Sequence, residues 1–97
     1  MQQIATIAEL ARIPWKEFVY RGRPAILVQS EDEIRAFYNI CTHDGGCCAL
    51  IGRDLVCESH GARFNPVSGK ALSAPAPMGT FLTKISVRIE MGAVFVD

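Results

Sequence analysis

Apolar and polar positions along this chain alternate with a period of two over long stretches, the pattern of extended strands that turn one face to a core. Toward the C-terminus Ile85, Val87 and Ile89 alternate with Ser86, Arg88 and Glu90. Met91-Gly92 interrupts, and Val94 and Val96 resume the same period, which reads as a hairpin. Upstream, Trp15 to Tyr20 and Pro24 to Gln29 flank Arg21-Gly22-Arg23, and Ile34 to Ile40 follows the acidic turn Ser30-Glu31-Asp32-Glu33. Three more strands are therefore expected, in meander order. A single helical stretch is expected around Thr6 to Arg12, where Pro14 stops it. Trp15, Phe18 and Tyr20 are assigned to the sheet core or its edge.

Short strands punctuated by glycine, proline and acidic turns predict an all-β fold, a small antiparallel sandwich or barrel. With 97 residues and no internal repeat or low-complexity run, the chain reads as a single domain, 1–97, with one core and no room for a second catalytic domain. The stretch from about residue 41 to 66 breaks the alternation and is rich in glycine and cysteine, so it reads as a pair of loops inserted into the β framework and held together by a metal.

Charge removes one class of partner. Ten lysines and arginines balance ten aspartates and glutamates, leaving no basic field to hold a phosphate backbone, so nucleic acid is not expected. No stretch approaches the roughly 18 uninterrupted apolar residues of a membrane span, and the N-terminus lacks an export signal. A soluble, cytoplasmic protein with no membrane partner is the expectation. Four cysteines interleaved with histidines favour metal ligation in a reducing compartment over a disulfide framework.

Both histidines of the chain stand close behind a cysteine. Cys41-Thr42-His43 is followed, after thirteen residues, by Cys57-Glu58-Ser59-His60. Each pair offers one sulfur and one nitrogen from its own loop, and the four together make a complete first shell. Two centres fit: a tetrahedral zinc, as in a zinc-stabilised interaction module, or a two-iron two-sulfur cluster with both cysteines on one iron and both histidines on the other. Spacing alone leaves both open.

The residues around the ligands carry a resemblance. Cys41 to Gly46, then Leu55-Val56-Cys57-Glu58-Ser59-His60-Gly61-Ala62-Arg63-Phe64-Asn65 and Ser68-Gly69-Lys70-Ala71-Leu72, resemble the Rieske ferredoxins, the soluble, low-potential, oxygenase-associated type, over about half the chain. Ala74-Pro75-Ala76-Pro77 resembles that family's proline loop, which covers the cluster as a third wall.

The resemblance implies one 2Fe-2S cluster, with Cys41 and Cys57 on a buried inner iron and His43 and His60 on an outer iron near the surface. Gly45, Gly46, Gly61, Ala62, Phe64, Pro75 and Pro77 would surround it. It further implies a one-electron carrier between an NAD(P)H-dependent reductase and a terminal oxygenase of the aromatic-ring-hydroxylating dioxygenase type, a monomer with transient contacts and no catalytic residues of its own. The contact face would be the tip formed by His43, His60, Gly45, Gly46, Gly61 and Pro75–Pro77. A nitrite reductase small subunit shares this fold but typically lacks the ligands, which are all present here.

Three departures stand out. The segment between the ligand pairs is shorter than the family's, Glu58 replaces a usual proline, and Cys47-Cys48 falls where small or apolar residues are expected. Cys47 and Cys48 are read as small buried packing residues, Arg63 as half of a surface ion pair, and Asp44 as a solvated neighbour of a ligand. Ala62 and Phe64 stand where relatives carry serine and tyrosine hydroxyls near the cluster sulfurs. Fewer donors there predict a potential toward the low end of the Rieske range, about −150 mV.

Overall fold

The computed structural model describes residues 1–40 and 47–97. Among them one short helix and ten strands follow in order. They are β1 (Gln2–Thr6), α1 (Ile7–Arg12), β2 (Trp15–Tyr20), β3 (Arg23–Ser30), β4 (Glu33–Tyr38), β5 (Cys48–Ile51) and β6 (Asp54–Cys57). The remainder are β7 (Arg63–Phe64), β8 (Lys84–Ile85), β9 (Arg88–Glu90) and β10 (Ala93–Val96). Three antiparallel sheets result, with strand orders β1-β10-β9, β2-β3-β4-β8 and β5-β6-β7.

The meander expected from residue 15 onward is the middle sheet. Trp15 lies opposite Val28 and Tyr20 opposite Arg23, while Ala25 lies opposite Tyr38 and Ser30 opposite Glu33. Both links are two-residue turns, Arg21-Gly22 and Glu31-Asp32, with positive φ at each residue, the geometry whose twist matches that of paired strands. Thr6 caps α1 by accepting a hydrogen bond from the Glu9 N–H, and the Glu9 carboxylate accepts one from the Thr6 N–H.

Within the middle sheet, β3 and β4 are buried on both faces. Ile26 and Val28 of β3 and Phe37 of β4 join Cys48, Leu55, Cys57, Ala62 and Phe64 in one apolar cluster. Ala25, Leu27, Ile34 and Ala36 point the other way and join Ile4, Leu10, Val94 and Val96 in a second. Two apolar clusters, not one core, thus lie against opposite faces of β3 and β4.

Three expectations need correction. The inserted stretch is not loops alone: β5, β6 and β7 form a sheet of their own, because Leu50, Leu55 and Phe64 have an apolar cluster to bury against. The C-terminal hairpin is β9–β10, but Ile85 belongs to β8 and pairs with β4 at Ala36. Ile89 is exposed on β9, since nothing covers that face of the short edge strand among the described residues.

Candidate metal centre

Cys57 is the last residue of β6, and the chain turns at once. The Cys57 N–H donates to the Ala62 carbonyl at 2.8 Å, and the Cys57 carbonyl accepts from the Gly61 N–H at 2.9 Å. This closure requires Gly61 to adopt φ +75°, a conformation that L side chains rarely take. Glu58, Ser59 and His60 are thereby pushed outward and exposed, while Cys57 stays inside at 1% exposure.

The wall around Cys57 is apolar: Ala62, Phe64, Ala76, Leu82 and Cys48 share its cluster. A dry sulfur beside a wet imidazole suits the two-iron cluster. Two ferric ions, two sulfides, two thiolates and two neutral imidazoles carry no net charge, so the sulfur end can lie under apolar cover while the nitrogen end meets solvent.

β5 approaches from the other side. Cys48 lies directly opposite Cys57, and the Glu58 N–H donates to the Cys47 carbonyl at 3.1 Å. Cys48 is buried as expected, whereas Cys47 is exposed, because it precedes β5 and lies outside the buried cluster. Asn39 fixes the start of β5. Its side-chain oxygen accepts from the Cys48 N–H at 2.7 Å and its amide donates to the Cys48 carbonyl at 3.1 Å. Asn39 is 1% exposed, the one buried polar residue among those described, and sequence reasoning missed it. The available signal was a carboxamide two residues before Cys41, at the end of an apolar run.

The proline segment forms a further wall. Ala76 is buried in the same cluster as Cys57, with Pro75 and Pro77 exposed on either side. Its flanks are tied down: Leu72 N–H donates to the Arg63 carbonyl at 2.7 Å, and the Thr80 hydroxyl donates to the Pro77 carbonyl at 2.6 Å. Arg63 forms the expected surface ion pair, at 3.2 Å from Asp54.

Of the expected ligands, Cys57 and His60 come together in one turn. Cys41 and His43, with Asp44, Gly45 and Gly46, lie outside the described residues. Among the described residues no three histidine, cysteine or acidic side chains gather to hold a metal ion.

Comparison with known proteins agrees with this geometry. Residues 1–86 match the family model of the Rieske [2Fe-2S] domain. The ferredoxin component of the naphthalene 1,2-dioxygenase system of Pseudomonas putida is 35% identical over 79 residues, covering 78% of this chain and 74% of the relative. The plasma membrane Rieske protein PetC3 from the cyanobacterium Synechocystis PCC 6803 superposes with a TM-score of 0.86 at 24% identity, over 100% of this chain and 99% of that one. A complex of reduced oxygenase and oxidised ferredoxin in carbazole 1,9a-dioxygenase gives 0.82 at 22% identity, over 97% and 89%. The choice that spacing left open between zinc and a two-iron cluster falls to the cluster.

Proposed function

Because the chain belongs to the Rieske [2Fe-2S] domain family, we propose that it is the ferredoxin of a multicomponent oxygenase, with its one cluster held by Cys41, His43, Cys57 and His60. When bound, the cluster supplies reversible one-electron chemistry. Cys41 and Cys57 hold the inner iron, and His43 and His60 the outer one. The observation that carries this reading is the division of labour within the turn after β6, where the thiol is dry and the imidazole three residues later is at the surface. An electron leaving through the imidazole edge has the shortest path to a partner.

The relative from Pseudomonas putida is named a dioxygenase ferredoxin component. That likeness supports a terminal oxygenase of the aromatic-ring-hydroxylating type as acceptor; the donor we propose is an NAD(P)H-dependent reductase. The whole chain acts as one domain and as a monomer. It docks through His43, His60, Gly45, Gly46, Gly61 and Pro75–Pro77, over a small area suited to a brief redox encounter. No helix among the described residues is long and apolar enough to cross a membrane. A cytoplasmic location fits the chemistry, since thiolate ligands and the exposed Cys47 thiol persist where disulfides do not form.

Iron and acid-labile sulfide analysis, with visible and electron paramagnetic resonance spectra of the reduced protein, tests the ligand set. Cys57→Ser is expected to abolish the cluster and His60→Cys to keep iron with a shifted spectrum and a lower potential; an unchanged spectrum in either variant removes that residue from the set. Redox titration tests the low-potential assignment, which a midpoint above about +100 mV would overturn.

A further inference from the structure

Strand register places a second thiol beside Cys57. The Cys57 N–H and carbonyl bond to Ala62 and Gly61, and those of Cys48 bond to the Asn39 side chain. All four groups turn away from the β5–β6 ladder, so the opposed pair Cys48 and Cys57 exchanges no hydrogen bond. Pairs of that kind are the close ones, with Cα atoms about 4.5 Å apart and side chains on the same face. Both residues are buried, at 0% and 1% exposure, in one apolar cluster. A disulfide needs Cα atoms roughly 4.4–6.8 Å apart, a span that directly opposed pairs of this kind ordinarily fall within. Cys47 is exposed and lies outside the buried cluster that holds the pair.

We propose that Cys48 and Cys57 form a redox-active dithiol that closes to a disulfide once the cluster is lost, resting on the assignment of Cys57 as a ligand. The oxidant is a peroxide. The two thiols give up two protons and two electrons, the Cys48–Cys57 sulfur–sulfur bond forms, and the peroxide oxygen–oxygen bond breaks to yield two waters from hydrogen peroxide. Closure withdraws Cys57 from the ligand set and shields its sulfur from irreversible oxidation. A thiol reductant reopens the site by thiol–disulfide exchange.

The test is a disulfide map. Full-length protein is stripped of its cluster by a chelator under reducing conditions, freed of reductant, treated with stoichiometric hydrogen peroxide and digested without reduction. The expected result is a loss of two hydrogens and a peptide linking Cys48 to Cys57. Cluster reconstitution, followed by visible absorption, is expected to fail until dithiothreitol is added. A bond from Cys57 to Cys41 or Cys47, or two unlinked thiols at 48 and 57, overturns the proposal. Because the map is read on the unaltered protein, it does not depend on a variant folding; Cys48→Ser, where it folds, is expected to give no linked peptide. Loaded protein treated in parallel is expected to show no link while its colour persists. A Cys48–Cys57 link under an intact cluster would overturn the ligand assignment of Cys57 and leave the dithiol standing.

Discussion

Gly69 has φ +79°, and a Cβ added there would lie 2.9 Å from Phe37 Cε1 and 3.0 Å from the Leu82 carbonyl oxygen. Phe37 is at the centre of the cluster that walls the candidate centre and cannot yield. Gly69→Ala is therefore expected to cost more than about 1 kcal/mol, read as a lower denaturant midpoint. A second expectation concerns the buried positions Ala62 and Phe64, which carry no hydroxyl. Ala62→Ser and Phe64→Tyr should each raise the midpoint potential in a redox titration by adding a donor near the cluster sulfurs. At this scale the candidate ligands stood out in the sequence because cysteine and histidine at short spacings have few other uses, and the structure brings Cys57 and His60 of them into one turn. Asn39 did not stand out, since one carboxamide just past the end of a strand looks the same whether it faces water or clamps Cys48.

At the scale of elements, legibility followed length. The six residues of β2 were bounded by sequence alone at Trp15 and Tyr20, because alternation over that span has room to show. The strands β5 and β6 have four residues each and β7 has two, too few to establish a period among glycines and cysteines. β1 contributes only Ile4 and Ala5 to the core, so its sequence carried little signal either. The one helix among the described residues was bounded in the sequence by Pro14, which stops it, while its cap emerged only in the structure. Thr6→Ala removes the acceptor for the Glu9 N–H and should cost about 1 kcal/mol in thermal or chemical unfolding. A hydrogen bond from Lys16, then one from the Thr6 N–H, holds the Glu9 carboxyl below its ordinary value. A carboxyl lowered on folding stabilises the protein above its unfolded value, and that contribution is lost as pH falls through the folded value. The stability difference between the protein and Glu9→Ala should accordingly be present at neutral pH and close on acidification, as unfolding measured across pH will show.

For the whole molecule, the period of two was enough to assign an all-β chain, but not to show that β3 and β4 are covered on both sides. The signal was present in β3, where Ala25 to Val28 is an unbroken apolar run of the kind that strands buried on both faces carry. The site end depends on a group that the rest does not. Removing the cluster withdraws its contribution to the folded state, and hydrogen exchange should then accelerate in β5, β6 and β7 more than in β1 and β10, which bury against the other cluster. The two-sided burial of β3 also has a meaning for how this chain can change over generations. A strand covered on one side leaves every second position open to neutral drift, whereas Ala25, Ile26, Leu27 and Val28 each answer to one hydrophobic neighbourhood or the other. Freedom to vary is displaced to the outermost strands and the turns, so the surface can be retuned at the rim while the spine between the two apolar neighbourhoods stays fixed.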